Sequence, residues 1–285
     1  VDDAYMEGPE VFTLTLSNPS GGVLQGSSAV TITITDNDLV NGSNPLDQDA
    51  FFVRQLYIDF LDREPDPAGL QGWLNILHGV NSPQCVLPTD CDRIAVALGF
   101  VRSPEFTDRG YFIYRLYKTL PDATNSTFGR IPHYSEFITD MAKVSGFLSA
   151  QDLNAAKDAF ITEFMNRAEF KTKYDPTIND PASYVDGLLQ VVNLPQHPSR
   201  NTWVAGLTNG TLTRGQVLRQ LVESAEVNSR FKNEAFVIMN YFGFLRRDAD
   251  AAFANWIQIF NNTDDDRLII NGFLNSAEFR QRFAQ

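Results

Sequence analysis

The chain is short of the residues from which most catalytic and redox centres are built. Its 285 residues include two cysteines, three histidines and four methionines. The histidines, His78, His133 and His197, lie in three separate regions, and none belongs to a His-Glu-x-x-His helix. The sequence has no Gly-x-Ser-x-Gly elbow, no phosphate-binding loop and no dinucleotide fingerprint. No residue set specifies a reaction, so the expectation is a protein that is not an enzyme. Basic residues are also scarce. With 23 Lys and Arg against 35 Asp and Glu, the net charge is −12, which argues against nucleic acid and anionic membrane surfaces as partners. Long apolar runs are missing too. The nearest, 95–101, is far below the roughly 20 residues that cross a bilayer, so no membrane insertion is expected.

Aromatic residues, by contrast, are plentiful. The chain carries 22 Phe, 9 Tyr and 3 Trp, enough apolar surface to build a core and to exclude a disordered chain. Cys85 and Cys91 close a short loop rich in proline and polar residues. Outside the cytosol a disulfide is the natural reading of such a pair. The alternative is a metal pair, which lacks a nearby histidine.

At the N-terminal end, Val11–Ser17 and Ala29–Thr35 alternate apolar and polar residues, the period of half-buried antiparallel strands. Asn18-Pro-Ser-Gly-Gly22 between them is turn chemistry, within a connection of about a dozen residues that leaves room for pairing with other strands. The residues Asp2-Asp3, Glu7-Gly-Pro-Glu-Val-Phe12, Leu16-Ser-Asn-Pro19 and Asp36-Asn-Asp38 closely resemble the closing half of a Calx-β domain. That resemblance implies a partial β-sandwich over 1–38, Ca²⁺ as the bound ion and a larger extracellular parent. It makes Asp2, Asp3, Asp36 and Asp38 the candidate ligands, with Glu7 a further one. Ca²⁺ takes six to eight oxygens, which clustered loop carboxylates supply. The same acids also serve as ordinary turn residues. Two strands alone leave raw edges, so the remaining strands sit on another piece or come from another chain by strand addition.

After a linker at 39–46 the period changes to that of helices. Phe51, Phe52, Leu56, Tyr57, Phe60 and Leu61 form one apolar stripe. Asp66-Pro67, Asp92, Ser103-Pro104, Ser149-x-x-Asp152 and Thr213-x-x-Gln216 are helix starts. A closing element recurs about every 50 to 60 residues. It reads Arg102-Ser-Pro-Glu-Phe106, Asn166-Arg-Ala-Glu-Phe170, Glu223-Ser-Ala-Glu-Val227 and Asn275-Ser-Ala-Glu-Phe279. An opening element recurs as Phe52–Tyr57, Phe112–Tyr117, Tyr184–Leu189 and Phe236–Tyr241. Trp73, Trp203 and Trp256 share a phase, with Phe137 standing in once. Recurrence at one phase favours a packing role over a binding platform. These echoes divide the chain into four helical units at 47–110, 111–175, 176–232 and 233–285, whose greasy faces would stack. The expected fold class is therefore mainly α, a multi-helix repeat domain preceded by a short antiparallel β segment.

Phe52-Val-Arg-Gln-Leu-Tyr57, Arg63-Glu-Pro-Asp-Pro-Ala-Gly69, Trp73 and Ser103-Pro-Glu-Phe106 resemble a bacterial domain-of-unknown-function family, number four-two-one-four, itself distantly similar to phycobilisome linker domains. Residues 236–283 look like a second, eroded copy. The resemblance implies a secreted or surface-attached protein and protein–protein scaffolding.

Two acid pairs, Glu64/Asp66 and Asp248/Asp250, and the run Asp264-Asp-Asp266 read as helix caps or as metal and acid–base carboxylates. Repetition favours caps, and the run lacks the EF-hand layout. Asn125, Asn209 and Asn261 fit the glycan-acceptor pattern. The expectation is an extracellular or cell-surface bacterial protein. It would mediate calcium-assisted adhesion or fibre- or layer-forming assembly, through self-association or surface-protein partners. The alternative is a carbohydrate-binding region of an exported enzyme, with a glycan on exposed Trp or Tyr.

Overall fold

The computed structural model describes residues 10–15, 29–34, 44–80, 82–122, 129–146 and 149–283. The chain is mainly helical with one short two-stranded antiparallel sheet at its N-terminal end. Strand β1, Glu10–Thr15, pairs directly with β2, Ala29–Ile34, in the register Phe12 opposite Ile32 and Leu14 opposite Val30. Because side chains alternate across a strand, Phe12, Leu14, Val30, Ile32 and Ile34 share one face and the threonines the other. The long connection did not divert either strand to a third partner among the described residues.

Helices then follow in short order: α1 Asp49–Leu61, α2 Pro67–Leu77, α3 Arg93–Val101 and α4 Pro104–Thr107. The caps read from sequence are made. Asp66 accepts from Gly69 N at 2.8 Å, Asp92 from Ala95 N at 2.8 Å and Ser103 from Phe106 N at 3.0 Å. Helices α5 Gly110–Tyr117, α6 Tyr134–Met141, α7 Ala150–Met165 and α8 Ala168–Tyr174 come next. Then come α9 Pro181–Val191, α10 Arg200–Thr208 and α11 Arg214–Val222, the last opened by the Thr213–Gln216 capping box. Helix α12, Ala225–Asn240, begins with the third closing element and ends with the fourth opening element, so position 232 lies inside a continuous helix. It continues as a π-helical turn, Tyr241–Leu245, before α13 Phe253–Thr263, α14 Asp266–Leu274 and α15 Ala277–Gln281.

The core is aromatic and joins the two ends of the helical region. Phe60 of α1 meets Phe106 at 5.5 Å and Phe244 of the π-helical turn at 5.1 Å, and Phe51 meets Phe283 at 5.4 Å. A Cβ on Gly243 would lie 2.2 Å from the Phe60 ring, so only glycine lets α1 approach the turn this closely. Charges seal the same seam. The buried carboxylate of Asp59 accepts from Arg246 Nε and from both Nη of Arg282, each at 2.9 Å. Such a pair holds because both partners are hydrogen-bonded rather than left bare.

Candidate functional site

Each closing element carries a glutamate, and each of the four is held by a side chain from elsewhere in the chain, three by an arginine and one by a histidine. Arg63, in the turn after α1, donates from Nε and Nη2 to Glu105 at 2.8 and 2.9 Å. Its guanidinium also lies 4.8 Å from the Tyr57 ring. Arg247 makes the same fork to Glu278, 5.3 Å from the Tyr241 ring. Arg130 reaches Glu169 at 2.7 and 2.9 Å while lying 4.6 Å from Tyr117. In the third position a histidine replaces the arginine, and His197 Nε2 lies 3.3 Å from Glu226. Planar guanidinium suits a bidentate carboxylate, which explains its choice at three of the positions. Burial alone would raise Glu105, and the Arg63 and Arg109 contacts overcome it and leave the carboxyl below its usual range.

The tryptophans repeat with the clamps. Trp73 lies over Gly99 and 4.9 Å from Phe100, and Trp256 over Gly272 and 5.2 Å from Phe273. Buried Trp203 instead stacks on His197 at 4.6 Å and donates Nε1–H to Gln220 at 2.7 Å. All three rings pack against the core. Phe137 stands apart from this scheme and packs on Phe242 at 4.8 Å.

Among the described residues, His197 is the one histidine whose ring nitrogen meets a side-chain hydroxyl. Its Nδ1 accepts from Ser199 N at 3.1 Å, which places the proton of the neutral ring on Nε2. Nε2 faces Ser224 Oγ at 3.3 Å, but Ser224 donates its own proton to Leu221 O at 2.7 Å and accepts from Val227 N as a helix cap. A base needs its lone pair toward the nucleophile, and here a proton points there instead. His78 pairs with Asp49 at 3.0 Å and His133 with Asp248 at 2.7 Å, both at exposed surfaces.

The acid pairs are divided among separate duties. Glu64 binds Arg54, and Asp66 caps α2. Asp248 takes His133 and Tyr134 N, whereas Asp250 takes Tyr241 Oη, Arg247 and Ala252 N. In the run 264–266, Asp264 ends α13 in the left-handed region, Asp265 caps α14 and Asp266 lies against Arg102. Among the described residues no three His, Cys, Asp or Glu gather as a metal site. The candidate calcium ligands Asp2, Asp3, Glu7, Asp36 and Asp38 lie outside the described residues. Cys85 and Cys91 are joined by a disulfide, with Cα atoms 5.5 Å apart. Among the described residues no helix is long and apolar enough to cross a membrane. Of the glycan-acceptor positions, Asn261 lies within α13 rather than in a loop, and Asn125 lies outside the described residues.

The feature left open is the hairpin. Phe12, Leu14, Val30 and Ile34 are 44, 54, 57 and 50 % exposed on one face, an uncommon density of bare apolar side chains. The partners of the second and third glutamates, Arg130 and His197, carry no sequence signal. Arg63 and Arg247 stand in matched motifs, but Arg130 and His197 sit in turns with no shared pattern.

Residues 41–110 match the family model described as a domain of unknown function (DUF4214). The matched stretch holds the first clamp, Trp73 and the closing element at Ser103–Phe106. No curated protein and no solved structure matches the chain.

Proposed function

We propose that this chain acts by association, as a secreted or cell-surface bacterial protein that joins other protein surfaces through its N-terminal hairpin. The observation that carries this is the exposed apolar face of β1 and β2, beside outer strand edges unpaired among the described residues. Burying such side chains the rest of the way would contribute about 1 kcal/mol each, half of full burial. An open edge adds main-chain hydrogen bonds to an incoming strand. The helical region supports the reading from the other side, since its histidines and repeated acids are engaged in caps and ion pairs. The resemblance of 1–38 to a Calx-β domain supports Ca²⁺ as a further contributor, since it makes Asp2, Asp3, Asp36 and Asp38 candidate ligands, and Ca²⁺ there would strengthen the association.

Light scattering on the full chain tests this. Association is expected to rise with concentration, to weaken with a calcium chelator, and to vanish in Leu14→Lys with Val30→Lys while the helical signal is retained. A mass that stays monomeric at every concentration, with and without calcium and with the native hairpin, would refute self-association.

A further inference from the structure

Between α3, α5 and α12 lies a cavity of about 420 Å³, open to solvent, whose floor is Tyr111, Phe231, Phe236 and Phe260. Arg115 forms part of its wall and is only 5 % exposed. Its Nε donates to Val222 O at 2.5 Å and its Nη1 to Asn228 Oδ1 at 2.6 Å. Both acceptors are neutral. Nη2 has no acceptor, and no carboxylate lies within ion-pair distance, among the described residues. The nearer acids are committed elsewhere: Glu223 to Lys157 at 2.9 Å and to Arg219 at 3.1 Å, and Asp108 to Lys157 at 4.0 Å. Burial accordingly pushes the Arg115 pKa down. Buried cations are normally paired, and every other buried arginine or lysine of the core, from Arg109 on Glu105 to Lys118 on Glu234, has its carboxylate. The exposed cations Arg102 and Lys232 also line the cavity, and its single acid, Asp266, lies against Arg102.

We propose that this cavity binds an organic monocarboxylate with an apolar, ring-sized body, its carboxylate on Nη2 of Arg115 and its body on the aromatic floor. The volume falls in the range of small-molecule sites, which pair apolar walls with a few placed polar groups. A dianion such as phosphate is disfavoured, because it would have to leave water for apolar surroundings that also hold Asp266, the acid that already occupies Arg102. The site is independent of the hairpin association proposed above.

Calorimetry on the full chain with 3-phenylpropanoate, 3-phenylpropanol and inorganic phosphate tests it. The acid is expected to bind one to one, at least about tenfold tighter than the alcohol, since a hydrogen bond to a charged group is worth that much. Phosphate should bind more weakly than either. Arg115→Gln should bring the ratio of acid to alcohol to about one. Ser229→Trp, at an exposed position on the cavity rim, should weaken the acid about tenfold or more while leaving thermal unfolding of the free protein unchanged, and it decides the matter should Arg115→Gln not fold. Equal affinity for acid and alcohol, no heat with the acid, preferred phosphate, or an unaffected Ser229→Trp would overturn the proposal.

Discussion

The first and third clamps do the same job with different chemistry. Arg63 holds Glu105 by two charge-assisted bonds, with the Tyr57 ring against its guanidinium. His197 meets Glu226 at a single 3.3 Å contact and depends on the Trp203 ring stacked over it. Where a permanent cation is present, the ion pair ties the turn to the closing helix. Where a neutral imidazole takes its place, aromatic packing carries more of the tie. The same architectural joint therefore titrates through its carboxylate at one position and through an imidazole at the other.

Trp203→Ala should cause the largest loss, about 3–5 kcal/mol, because it leaves a buried cavity and strips His197 of its stack. Trp73→Ala, at a half-buried ring beside an arginine clamp, should cost less. Urea unfolding of both variants reads this difference, and equal losses would break the contrast.

Gly99→Val and Gly272→Val should each cost about 1–3 kcal/mol by overpacking, since a Cβ would stand 2.4 Å from Trp73 and 2.2 Å from Trp256 respectively. Similar losses at the two sites would tighten the kinship of the first and last units. A neutral outcome at one would separate them.

Glu105→Gln should cost about 2 kcal/mol, because it removes the charged acceptor that Arg63 forks and Arg109 pairs with. Glu226→Gln should cost only about 0.5–1 kcal/mol, the scale of one ordinary hydrogen bond. Thermal unfolding at neutral pH compares the two directly.

The smallest effect is expected from pH. Burial lowers the His197 pKa, so between its folded value and the unfolded value of about 6.5 the unfolded chain binds more protons. Stability then rises with pH through that window and is lost on acidification below about 6.5. The lowered Glu105 adds stability that is present above about 4.5 and lost only as pH falls through its folded value. His197→Gln should flatten the upper part of this profile and leave the lower part intact. Urea midpoints measured across that range check it.

Much of this was visible in the residues alone. Period, proline and capping side chains located helix starts at Asp66, Asp92, Ser103, Ser149 and Thr213, because caps act within three or four residues of chain. The recurring glutamate of the closing elements was visible as a repeat, and each of the four proves to be a clamp residue. The features without a sequence signal depend on distant contacts. Arg115 resembles every other arginine in sequence, and only the helices around it remove its counter-ion. The merging of two elements into α12, by contrast, has a sequence signal that the unit boundary at 232 overrode, since nothing between Val227 and Phe236 breaks a helix.

Local physics, then, determined which segments are helical, which pair of strands alternates and which two cysteines lie close enough to join, because each is decided by neighbours along the chain. Tertiary structure alone decided that Asp59 would bind Arg246 and Arg282, that Phe60 would need Gly243, and that a buried guanidinium would face an open cavity. Those outcomes depend on which faces meet across more than a hundred residues, and no short-range pattern carries that information.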